Sequence, residues 1–169
     1  GGLPHADPSP SSEPDLLRAL VDKLPAMLAY WDANQRCRFA NRAYEMWFGV
    51  KPEAMIGRDM AEFLGPLYAL NRPYIEGVLR GEAQEFERDI PDPEGGPARH
   101  SQAHYIPDVS DGVVRGFCVL VVDVTRRKRA EEAVQRMERK LQATERLVAM
   151  ATLAGGIAHE INNPLAVVL

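Results

Sequence analysis

Two periods of apolar residues run along this chain, and the places where one gives way to the other divide it. Leu16 to about Leu24 reads as a short amphipathic helix stopped before Pro25. "MLAYWD" and "CRFAN" read as two short strands around a polar turn at Asp32 to Gln35. "RAYEMWFG" returns to helical spacing, with Gly49 placed to cap it. Short helical pieces follow in "PEAMIG" and "AEFLG", then a longer one in "LNRPYIEGVLRGE". After Gly81 the period is two again. "AQEFERDI" alternates, "PDPEGGP" is a turn, "ARHSQAHYI" is a strand bounded by Pro97 and Pro107, and "DVSDG" is another turn. "VVRGFCVLVVDV" is the most apolar strand and the expected centre of the sheet. Two strands, several short helices and three strands in hairpin succession predict an α+β domain, a five-stranded antiparallel sheet with helices on one face.

Past Thr125, placed as a helix N-cap, the chain becomes "RRKRAEEAVQRMERKLQATER", about half of it charged. Ala130, Val134, Met137, Leu141, Thr144 and Val148 recur in alternating steps of four and three, the heptad seam of a coiled coil. A single solvated helix folded back on the domain is the other reading of so narrow a stripe. A second seam runs through Leu147, Ala151, Ala154, Ala158, Ile161, Leu165 and Val168. Between Thr144 and Ala151 the phase slips by three residues, a stammer that locally overwinds a coiled coil. In the second frame His159 lies one residue past a seam position, on the flank, where it faces solvent and another protein can reach it.

Composition narrows the class. The chain is 46% hydrophobic and 26% charged with a net charge of -4, which fits a soluble globular domain and offers no attraction for nucleic acid or an anionic membrane. Two cysteines, Cys37 and Cys118, make no disulfide framework, and a reduced cytoplasmic setting fits them. Residues 1–15 are rich in Pro, Ser and Gly and read as a flexible lead-in, with the opening Gly-Gly a cloning remnant. Residues 147–169 are apolar, yet a membrane span there would place His159, Glu160, Asn162 and Asn163 in hydrocarbon, which disfavours it.

The segment "AGGIAHEINNPL" weakens its own helix. Gly155 and Gly156 each cost about 1 kcal/mol relative to alanine in a helix interior. Pro164 removes a backbone donor and clashes with the carbonyl of Glu160, so a bend is expected one turn past His159. A purely structural coil gains nothing from these residues; a helix that presents one histidine and flexes around it does. A neutral imidazole is a good nucleophile near neutral pH, and an adjacent carboxylate can fix its tautomer and take up its proton. Spacing alone leaves an ordinary exposed His–Glu pair as the alternative.

"AHEINNPL", with "LAGGI" before it, resembles the H-box of sensor histidine kinases, the phospho-acceptor segment of their dimerisation and histidine-phosphotransfer domain. The resemblance covers about the last 20 residues. It implies that His159 accepts the γ-phosphoryl group of ATP, that Glu160 is the acid/base residue and that Asn163 helps to position water in phosphatase activity. Pro164 then matches the helix-kinking proline. Upstream, residues 16–125 resemble a PAS sensor domain. "FANRAYEMWFG" is similar to its second strand and first helix, with Asn41 at the helix start. "RGFCVLVVDVTRRKRAEEA" is similar to its last strand and exit, where Asp123 and Thr125 match the motif that couples PAS domains to signalling helices.

The implied order is a PAS domain (16–125), a signalling coiled-coil helix (126–148) and the truncated first phosphotransfer helix (149–169). It implies a homodimer through the C-terminal helix and a phosphoryl group passed to an aspartate of a response regulator. ATP and Mg2+ belong to a catalytic domain whose nucleotide motifs do not occur before Leu169, so the fragment alone is expected to be inactive. A PAS interaction module without phosphotransfer, and a PAS protein that stores or carries a metabolite, are the competing classes.

No cofactor is evident in the fragment, and its PAS ligand is unknown. "CRF" at Cys37 to Phe39 is similar to the photoreactive motif of flavin-binding relatives but sits in an early strand rather than a helix. "YALNRPYIEG" lacks the histidine of oxygen-sensing haem relatives. His100 and His104 on a strand lie about 13 Å apart on one face, too far to share a metal ion.

Overall fold

The computed structural model describes residues 12–167, with side chains described as far as Asn162. The expectation for residues 1–11, and for the side chains of Asn163, Pro164, Leu165 and Val168, lies outside that range. Two compact units divide at Thr125 and Arg126.

The first unit opens with helix α1 (Glu13–Asp22), three residues earlier than the apolar pattern indicates. The shift follows from Ser12, whose hydroxyl accepts from the amide of Asp15 as an N-cap, with Pro14 in the first turn. Strands β1 (Ala26–Asp32) and β2 (Cys37–Ala40) form a hairpin. The Asp32 carboxylate shapes its turn by accepting from the amides of Asn34 and Arg36. Helix α2 (Ala43–Phe48) ends at Gly49 in the left-handed conformation (φ 68°). Two single-turn helices follow, α3 (Pro52–Met55) and α4 (Met60–Leu64), and then α5 (Pro66–Leu79).

Strands β3 (Gln84–Ile90), β4 (Arg99–Ser110) and β5 (Val113–Asp123) complete an antiparallel sheet in the order β2-β1-β5-β4-β3. β5 is central, as its apolar sequence indicates. Alternation sends Met27, Ala29 and Trp31 of β1, Ser101, Ala103 and Tyr105 of β4, and Phe117, Val119 and Val121 of β5 to one buried face. Helical residues Tyr44, Trp47, Met55, Met60, Ile75 and Val78 close over that face.

β4 departs from the expectation that Pro107 ends it. The strand runs on to Ser110, and Asp111 (φ 52°) and Gly112 (φ 74°) alone make the tight turn to β5. Proline is tolerated because of which edge it faces. The carbonyl of His100 accepts from Val124, so the even-numbered residues of β4 bond to β5 and Pro107 turns its donor-less nitrogen the other way. On that side β3 pairs only as far as Tyr105, so no ladder bond is lost.

Asn41 is fully buried and fully used. Its carbonyl accepts from the amide of Leu28, and its amide donates to the carbonyls of Val21 and Ala26, which ties α1 to the sheet.

The second unit is part of one helix, α6 (Thr125–Val167), 43 residues and about 65 Å long. It is continuous through both glycines and through the phase slip.

Candidate functional site

The motif at the end of β5 has a clear geometry. The Asp123 carboxylate accepts from the amide of Thr125 at 2.8 Å and so satisfies the first donor of the outgoing helix. Thr125 is the first helical residue, and its hydroxyl does not cap α6. It accepts instead from the backbone amide of His100 at 2.9 Å, while the His100 carbonyl accepts from Val124 at 2.8 Å. Asp123 starts the helix and Thr125 fastens that start to β4. Beside them Arg99 lies over the ring of Trp47, 5.1 Å from its centre.

Along α6 the large apolar residues of the described range lie exposed. Val134, Met137, Leu141, Leu147, Val148, Met150, Leu153, Ile157 and Ile161 are each more than half exposed. The charged side carries i, i+4 ion pairs, Arg127 to Glu131 at 3.0 Å and Arg136 to Glu132 at 4.0 Å, each worth a few tenths of a kcal/mol. His159 and Glu160 are both exposed on this helix. As neighbours in sequence they point about 100° apart, and no hydrogen bond joins the ring to the carboxylate. A methyl group built at Gly155 or Gly156 meets nothing within 4 Å. Packing within the chain therefore does not demand glycine at either position.

Inside the first unit, between the sheet and the helices, lies a cavity of about 40 Å³. Its walls are mostly aromatic and aliphatic. Phe48 and Phe63 meet at 5.0 Å, and Phe86 meets Tyr105 edge-on at 5.1 Å. One cation breaks the apolar register: in β3 the core-facing positions are Phe86, Arg88 and Ile90. Arg88 donates from Nε to the Asn71 side chain at 3.0 Å and from Nη2 to the Leu70 carbonyl at 3.0 Å, and Asn71 donates to the Tyr105 hydroxyl. Nothing in the local motifs singles out Arg88 or Asn71. The available signal was a charge standing where the alternation of "QEFERDI" calls for an apolar residue.

Cys37 is fully buried, and desolvation pushes its thiol up to about 11. That suits a structural core residue. On the outer face of the sheet His100 pairs with Asp89 and His104 with Glu85, each across the β3–β4 ladder. No three His, Cys, Asp or Glu side chains among the described residues come close enough to hold a metal ion.

A mixed-order antiparallel sheet of five strands, short helices over one face, a small internal cavity and a helix leaving the last strand define a PAS-type domain. The family model described as the PAS fold matches residues 21–129, and the chain belongs to that family. The C4-dicarboxylate transport sensor protein DctS of Rhodobacter capsulatus is 29% identical over 160 residues, which cover 89% of this chain. This chain spans only 24% of that protein's length. Among solved structures, the PAS domain of Bordetella pertussis BvgS is 26% identical, with a TM-score of 0.52, over 75% of this chain and 96% of that one. An RNA-binding light-oxygen-voltage receptor aligns over 82% of this chain and 40% of its own, with a TM-score of 0.59 and 20% identity. The likeness to that receptor is one of fold. No helix among the described residues is long and apolar enough to cross a membrane.

Proposed function

We propose that this chain is the sensory and dimerisation part of a two-component sensor histidine kinase. In this reading a signal in the PAS core changes the packing at the β4–β5 exit. Asp123 and Thr125 transmit it to α6, and two copies of α6 pair along the uncovered apolar stripe. His159, about 50 Å along the helix from Thr125 at 1.5 Å per residue, is the phospho-acceptor. Glu160 acts as acid/base, Asn163 positions water for dephosphorylation, and Gly155, Gly156 and Pro164 let the helix yield around the histidine. ATP and Mg2+ are bound by a separate catalytic domain, and the phosphoryl group passes to an aspartate of a response regulator.

The observation that carries this reading is the row of exposed apolar residues running along α6 to a solvent-facing His159. Burying a Leu or Met side chain contributes about 1.5–3 kcal/mol, so pairing two such rows outweighs the loss of freedom of two helices. The likeness to DctS over most of this chain supports the kinase context. Sedimentation equilibrium tests the pairing: a dimer at micromolar concentration is expected, with Leu141→Glu shifting it to monomer. A wild-type chain that stays monomeric at tens of micromolar contradicts it.

A further inference from the structure

Helix α1 is fastened to the domain along one side. The Val21 carbonyl accepts from the Asn41 side chain, the Asp22 carboxylate accepts from the amide of Arg42, and Arg18 lies over the ring of Phe39, 5.1 Å from its centre. On the opposite side Leu16, Leu17, Leu20 and, just past the helix, Leu24 are about half exposed, and no residue of α1 is buried. Leucines gathered on one side of so short a helix mark a contact surface. Glu13, Leu16, Leu20 and Lys23 recur in steps of three, four and three. At about 100° per residue they share about 80° of the helix circumference.

This stripe begins with an acid and ends with a base, and among the described residues neither Glu13 nor Lys23 forms an ion pair. A second α1 laid alongside in the same direction would set Glu13 against Glu13 and Lys23 against Lys23. Laid in the opposite direction, it sets Leu16 against Leu20 and Glu13 against Lys23, and it opposes the two helix dipoles. Past Lys23 the leucine face continues through Leu24 into a surface groove lined also by Pro25, Met46, Trp47, Arg99 and Asp123. Met46 is 68% exposed there. Asp123 starts the exit helix, and Arg99 precedes the residue that holds Thr125.

We propose that α1 of a second copy of this chain covers the leucine face, antiparallel, with Leu16 of each copy on Leu20 of the other and Glu13 on Lys23. The contact is isologous, so it forms two such ion pairs at once. In this register Ser12 of one copy falls opposite Leu24 of the other, at the mouth of the groove that Arg99 and Asp123 line. The partner's helix start therefore bears on the exit from β5. A handful of side chains is far fewer than the roughly 20–30 a side of an independent interface. The contact adds to the α6 pairing proposed above and rests on that two-copy reading.

The test is disulfide trapping in the whole chain carrying Cys118→Ser, which leaves only the buried Cys37 thiol. Glu13→Cys and Lys23→Cys chains are prepared separately, mixed and mildly oxidised. A mixed disulfide is expected, with little dimer trapped in either variant alone. By sedimentation equilibrium, Lys23→Glu should weaken dimerisation about threefold or more, and Glu13→Lys combined with Lys23→Glu should restore it. Trapping of each variant with itself as readily as in the mixture means parallel pairing, and no trapping at all means that the second copy does not cover α1. Either result overturns the proposal, as does a double reversal that fails to restore dimerisation. A chain that sediments as a dimer but yields no mixed disulfide loses this contact and keeps the α6 pairing. A mixed disulfide in a chain whose dimer is unaffected by Leu141→Glu keeps this contact and loses that pairing.

Discussion

The hydroxyl of Thr125 accepts a hydrogen bond from the backbone amide of His100, 2.9 Å away, so the first residue of the long helix is fastened to the beginning of β4. Thr125→Val keeps the shape and leaves that amide unpaired, at an expected cost of about 1–2 kcal/mol. Thermal melting should show the loss, and Thr125→Ser should restore most of it. Equal stability of Thr125→Val and wild type contradicts the role given to this bond.

Gly116 lies in the central strand where no side chain fits. A Cβ there would run into the carbonyl of Trp31 and meet the Tyr30 hydroxyl at 2.7 Å. Gly116→Ala should therefore destabilise the domain by about 1–3 kcal/mol, through strand displacement rather than lost glycine flexibility. Urea titration of the variant measures it, and a shift under a few tenths of a kcal/mol contradicts the contact.

At Gly155 and Gly156 the expected sign is opposite. A methyl group meets open space at both, so alanine should strengthen the helix by about 1 kcal/mol per site. Amide exchange around His159 should slow in the double variant. Faster exchange would mean that the glycines serve contacts absent from a single chain.

Alkali should destabilise the first unit through its raised thiols and phenols, Cys37 and Tyr30 among them. Burial raises Cys37 from 9.0 to about 11, and a hydrogen bond to the Asp108 carboxylate raises Tyr30 from 10.0 to about 12. Each holds its proton more tightly folded than unfolded, so each contribution is whole below pH 9. Stability is then lost as pH rises through 11 to 12. The urea midpoint should be level up to about pH 9 and fall above it, less steeply in Tyr30→Phe. A midpoint unchanged in strong alkali contradicts these assignments.

The sheet was legible because burial in β1, β3, β4 and β5 follows a period of two, and the central place of β5 follows from its apolar content. The path of β4 through Pro107 was not, since it depends on where the neighbouring strand stops. Asp123 and Thr125 were recognisable as a motif, yet the division of labour between them depends on His100, far away in sequence. The polar residues of the cavity were hidden for a similar reason: Tyr44, Arg88 and Tyr105 come from α2, β3 and β4, and only folding brings them to one chamber. His159 and Glu160 stand out locally in sequence, and the structure adds their exposure and the uncovered helix that bears them.

The central claim is that His159 is displayed to take a phosphoryl group. It is measured most directly by incubating the chain with a complete sensor histidine kinase and γ-labelled ATP. Acid-labile, base-stable label on the chain is expected, lost in His159→Gln and preserved in Cys37→Ala. Acid-stable label, label that survives His159→Gln, or none at all while the kinase labels itself would contradict it.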